Sequence, residues 1–105
     1  MSTSRLNQLQ VLLKESPNDV FLLYAIALEY IASGERSNAE QYFKKVLNLD
    51  VNYLPVYYQL ALFYQEQDKA LAIRYCKEGI ALAQQTDKSK TRMELQSLLD
   101  LLQDE

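Results

Sequence analysis

The chain has 105 residues, and 49% of them are hydrophobic, which suits one small domain with its own core and not a disordered tail. Its 11 basic and 14 acidic residues are interspersed and leave a net charge of −3, without the dense basic face that duplex nucleic acid requires. No histidine is present, and the two glycines, Gly34 and Gly79, stand too far apart for a phosphate loop, so the usual acid–base, metal and nucleotide chemistries lack their residues.

A first helix is predicted over 3–15, and Pro17-Asn18-Asp19 ends it and caps the next. In the second, over 19–33, Leu23, Ile26, Ala27 and Tyr30 fall at i, i+3, i+4 and i+7, one helical face. Ser33-Gly34 stops it, since glycine takes the left-handed conformation without a Cβ penalty. Ser37 and Glu40 have capping-box spacing and predict a third helix over 37–49, with Tyr42, Phe43, Val46 and Leu47 on its apolar face. Asp50 to Asn52 closes it. Pro55 suits the first turn of a fourth helix over 54–66, which carries Leu60, Phe63 and Tyr64. Ile73, Cys76 and Ile80 mark a fifth over 69–84. The last, over 89–103, turns Leu95, Leu98, Leu99 and Leu102 to one side and Glu94, Asp100 and Asp104 to the other. Lys88, Lys90 and Arg92 sit near its start, the unfavourable end of the helix dipole. No strand-length alternation appears; about six helices and an all-α fold are expected.

Cys76 is the only cysteine, so an internal disulfide is impossible and a reducing compartment is expected. The first 19 residues lack the apolar centre of a signal peptide, and no run of about 18 apolar residues predicts a membrane span. A cytoplasmic chain without membrane partners is the expectation, and the acidic, polar last helix suggests a finished end.

The chain also repeats itself. A shift of 34 pairs Tyr24 with Tyr58, Ala27 with Ala61, Leu28 with Leu62 and Tyr30 with Tyr64. Past the turn the shift is 33, pairing Ala39 with Ala72, Tyr42 with Tyr75, Lys44 with Lys77 and Leu49 with Leu82, so one residue is missing between the helices of the second copy. Two helices at a period near 34 are the mark of a helical solenoid. The first copy reads Leu23-x-x-Ile26-Ala27-x-x-Tyr30 and then Ala39-x-x-x-Phe43; the second reads Tyr57-x-x-Leu60-Ala61-x-x-Tyr64 and then Ala72-x-x-x-Cys76. Over roughly residues 5 to 84 this resembles the tetratricopeptide repeat. Departures are the absence of Trp, Cys76 at an aromatic position, a shortened second turn and Val51 where Pro is usual. Leu9 and Pro17 are spaced as Phe43 and Val51 are, like the second half of a preceding repeat. Small residues at 27, 39, 61 and 72 are those that let neighbouring helices cross closely.

The resemblance implies a right-handed α-solenoid of antiparallel helix pairs in a single domain, with a half-repeat at 3–17, repeats at 20–53 and 54–86, and a capping helix at 87–105. It implies a concave groove lined by the first helix of each repeat, here Phe21, Tyr24, Leu28 and Ile31, then Tyr58, Leu62, Gln65 and Glu66. Family members that grip a peptide carboxylate carry Lys and Asn in such places; Tyr24, Leu28, Tyr58 and Leu62 argue against that clamp. An apolar, aromatic groove suits a peptide or amphipathic helix, the seam of a homodimer, or the chain's own last helix folded back into it. Neither cofactor nor metal is expected. Glu29, Glu35 and Glu40 have the spacing of solvated helix faces, Cys76 that of a buried inert thiol, and no nucleophile–base pair suggests an enzyme. The expected role is a protein-interaction module or scaffold, with a protein or peptide partner.

Overall fold

The computed structural model describes residues 2–104. Among them are six α-helices and no strand: α1 Ser2–Glu15, α2 Val20–Ala32, α3 Arg36–Leu49, α4 Pro55–Tyr64, α5 Lys69–Gln85 and α6 Ser89–Gln103. The chain divides into two compact units, residues 1–53 and 54–105, and the division falls between the two copies of the repeat.

In unit 1, α2 packs on α1 and on α3. Leu9 of α1 enters a buried cluster with Leu22, Ala25 and Ile26 of α2, and Leu6, Leu13, Tyr30 and Tyr42 close around it. Ala27, Ala39, Phe43 and Val46 are fully buried, so each small residue of the repeat lies beside a large one. Asp19 caps α2, its Oδ1 accepting from the Leu22 N–H at 3.2 Å. At the other end Gly34 has φ +79°, the Glu35 N–H donates to the Tyr30 carbonyl (2.9 Å) and the Gly34 N–H to that of Ile31 (3.1 Å). These crossed bonds satisfy carbonyls the last turn would orphan.

The capping box expected at Ser37 and Glu40 does not form. Helix α3 starts one residue earlier, with Glu35 as its N-cap. Glu35 draws Asn38 and Ser33 instead, its Oε1 accepting from Asn38 Nδ2 and its Oε2 from Ser33 Oγ, both at 3.2 Å. Ser37 is thereby drawn into the helix, and Glu40 faces Lys44 at 3.8 Å.

In unit 2, α5 packs on α4 and on α6. Ala61, Ala72 and Cys76 are fully buried, with Leu60 and Tyr57 nearly so. Leu95, Leu98, Leu99 and Leu102 of α6 are buried, and Asp100 and Glu94 are exposed, as their period predicts. Gly79 of α5 lets α6 in: a Cβ there would stand 2.8 Å from Leu95 Cδ1 and 2.9 Å from Tyr57 Cβ. The residue missing from the second copy comes out of helix rather than turn. Helix α4 stops at Tyr64, two residues short of the expected 66, and no left-handed residue closes it; Asp68 N–H donates to the Tyr64 carbonyl at 2.8 Å, and the Asp68 side chain caps α5 through the Leu71 N–H. Helix α5 ends as α2 does, but with Asp87 at φ 57° in the place of glycine and the Lys88 N–H on the Ala83 carbonyl at 2.9 Å.

Candidate protein-binding faces

Helix α2 gives its other flanks to α1 and α3, and a stripe is left over. Phe21, Tyr24, Leu28 and Ile31 run along it at offsets of three, seven and ten residues, a line of roughly 15 Å at helical rise. Phe21 is 62% exposed and Ile31 37%, while Tyr24 and Leu28 are half-buried. Tyr24 meets Tyr53 edge-to-face, ring centroids 5.3 Å apart, and stands 6.4 Å from Phe43. The two rings thus meet in one of the arrangements that aromatic quadrupoles favour. The Tyr53 phenol is held above its ordinary range, first by burial and then by the charges of Asp19 and Asp50. Tyr53, Asp19 and Asp50 were not among the residues the repeat pattern singles out. They follow the second helix of the copy or precede the first, where only turn chemistry is legible.

Unit 2 offers a smaller counterpart on α4, with Tyr58, Leu62 and Gln65 half-buried and Glu66 exposed. Because α4 ends at Tyr64, Gln65 and Glu66 lie in the turn and not on the helix where the spacing placed them. Helix α6 packs along α5, with Leu95 beside Gly79.

Unit 1 also holds a cleft of about 420 Å³ that no sequence pattern marks. It is lined by Leu13, Pro17 and Asn18, by Leu23 of α2, and by Lys45, Asn48 and Leu49 of α3. It assembles from three segments apart in the sequence, residues 13–18, Leu23 and residues 45–49.

The remaining polar groups do structural work. Glu29 is paired with Arg5 at 3.0 Å, and Tyr30 accepts through its hydroxyl from Gln10 Nε2 at 3.2 Å. Tyr30 and Tyr42 rings lie 5.6 Å apart, and Tyr75 stacks at 6.1 Å on Tyr64 and meets Tyr57 edge-on at 6.2 Å. Burial pushes the Cys76 thiol up to about 11 and keeps it protonated, the opposite of what a nucleophile needs. No group of acidic, Cys or His side chains among the described residues could hold a metal ion, and no described helix is long and apolar enough to cross a membrane.

Helix hairpins with small residues at their crossings, written twice at a fixed period, define a class of α-helical repeat protein. Two solved structures carry the same arrangement under a family name. A crystal structure of a tetratricopeptide repeat domain protein from Salinibacter ruber superposes with a TM-score of 0.76 at 29% identity, over 82% of this chain and 97% of that one. A solution NMR structure of a tetratricopeptide repeat domain protein from Salinibacter ruber gives 0.76 at 30% identity, over 82% of this chain and 88% of that one. A solution structure of a protein from Bordetella parapertussis shares the fold, with a TM-score of 0.81 at 22% identity over 94% of this chain and 87% of that one. No family model and no curated protein matches. The chain belongs to the tetratricopeptide repeat family. Domains of this fold generally serve as protein-interaction modules and not as catalysts.

Proposed function

We propose that the chain binds a peptide or helix of a protein partner through the apolar faces of α2 and α4. The observation that carries this reading is the α2 stripe, where Phe21 is 62% exposed and aligned with Tyr24, Leu28 and Ile31. A large aromatic side chain left in water at the head of an apolar line is the composition of an anchor site. Each unit offers one short face, so contact area is limited and a transient interface is expected.

Molar mass by light scattering across a wide concentration range tests it first. A monomer leaves the faces free for a partner. A dimer that Tyr24→Ala with Tyr58→Ala disperses assigns the faces to a second copy of the chain. Either way the double variant keeps the wild-type helical signal and loses association; association that survives it moves the site elsewhere.

A further inference from the structure

Charge is distributed unevenly around the α2 face. Neither α2 nor α4 contains a Lys or Arg. In unit 1 the cations sit on α1 and α3. Arg5 pairs with Glu29, Lys44 with Glu40, and Lys45 lies 4.4 Å over the Tyr42 ring. Arg36 opens α3, at the end remote from Asp50. Lys14 belongs to α1, which packs on Leu22, Ala25 and Ile26, the flank of α2 opposite Tyr24.

The carboxylates are arranged the other way. Asp19 and Asp50 both act on Tyr53, which touches Tyr24. Asp19 Oδ1 accepts from the Leu22 N–H and Asp50 Oδ1 from the Asn52 N–H, and neither acid makes an ion pair among the described residues. Two carboxylates without an ion pair among the described residues thus stand beside an aromatic pair, Asp19 at the start of α2 and Asp50 at the end of α3.

We infer that the α2 face takes a basic amphipathic peptide, its apolar residues along Phe21, Leu28 and Ile31 and a Lys or Arg against the Tyr24–Tyr53 pair, facing Asp19 and Asp50. Complementary charge and the negative faces of two tyrosines act on that cation together. This inference rests on the function proposed above and names the partner's chemistry.

The test is a selection of random displayed peptides of about 12 residues, roughly three helical turns, on the full chain and on Tyr24→Ala. Enriched peptides are expected to combine apolar residues with Lys or Arg and to lose binding to Tyr24→Ala. The best of them, measured by fluorescence anisotropy, should bind Asp19→Asn/Asp50→Asn about three- to tenfold more weakly at low salt, the gap closing at high salt. Asparagine keeps both side-chain acceptor bonds, so this variant changes charge and not capping; circular dichroism verifies the fold. Tyr24-dependent peptides that are neutral or acidic, or unchanged affinity in the folded double Asn variant, overturn the inference and leave the module reading standing. Enrichment indifferent to Tyr24→Ala, or none at all, removes both. A dimer that Tyr24→Ala disperses overturns it as well, because the face then belongs to a second copy.

Discussion

The side chains that set helix spacing are the smallest ones. Ala27 and Ala61 are fully buried, and replacing either with Leu inserts three carbons where the surroundings have no room. Each change should cost about 1–3 kcal/mol, read from urea midpoints at constant slope. Gly79→Ala poses a sharper question, since alanine is the better helix former by about 1 kcal/mol. Its Cβ, however, would press on the Tyr57 Cβ at 2.9 Å, which is tied to the α4 backbone and cannot swing away. The variant should therefore melt lower than wild type, and the loss should shrink in a Leu95→Ala background, a coupling that a double-mutant cycle measures. Cys76 supplies a pH signature. Its thiol ordinarily ionises near 9.0 and in the fold is raised to about 11, so only the unfolded chain releases the proton between those values. Stability should be unaffected by this group below pH 9.0 and decline as pH climbs toward 11, and the decline should be shallower in Cys76→Ala. The alanines were legible because each recurs at one register with large neighbours. Gly79 was not, because its reasons, Tyr57 and Leu95, lie 22 residues before it and 16 after it.

Helix ends show how differently the elements solve one problem. Both α2 and α5 finish on a left-handed residue, but Gly34 adopts that conformation freely and Asp87 does not. Asp87 also places a negative charge at the negative end of α5. Asp87→Gly should raise stability by about 0.5–1 kcal/mol and Gly34→Ala should lower it by about 1 kcal/mol, a sign reversal that thermal melts of the two variants check directly. Gly34 was legible because glycine after an apolar period has one common use. Asp87 was not, since Thr86-Asp87-Lys88 reads as any polar turn. The Ser37–Glu40 spacing misled for a related reason: Glu35 and Asn38 stand at the same separation two residues earlier and bond side chain to side chain, with Glu35 at the N-cap position. The early end of α4 was hidden too, because a deletion read from an alignment does not say whether helix or turn gives way.

At the scale of the whole chain, two compact units divide at the repeat boundary, and stability in such proteins is a sum of local terms. Gly79→Ala should accordingly reduce hydrogen-exchange protection in α5 and α6 more than in α2, an outcome that residue-resolved exchange reads. The architecture was written plainly in the sequence, since a period of about 34 fixes helix pairs. The candidate faces were legible in part. Their apolar line follows from the repeat, whereas Tyr53 and the two aspartates belong to turns that the repeat leaves unspecified. Gly79 carries one further consequence. It aligns with Val46 under the 33-residue shift, and both are buried, one with a branched side chain and one with none. The two copies are therefore not interchangeable parts. A chain built from two copies of the first repeat would bring valine to a place shaped around its absence, and the sixth helix would have to be rewritten with it.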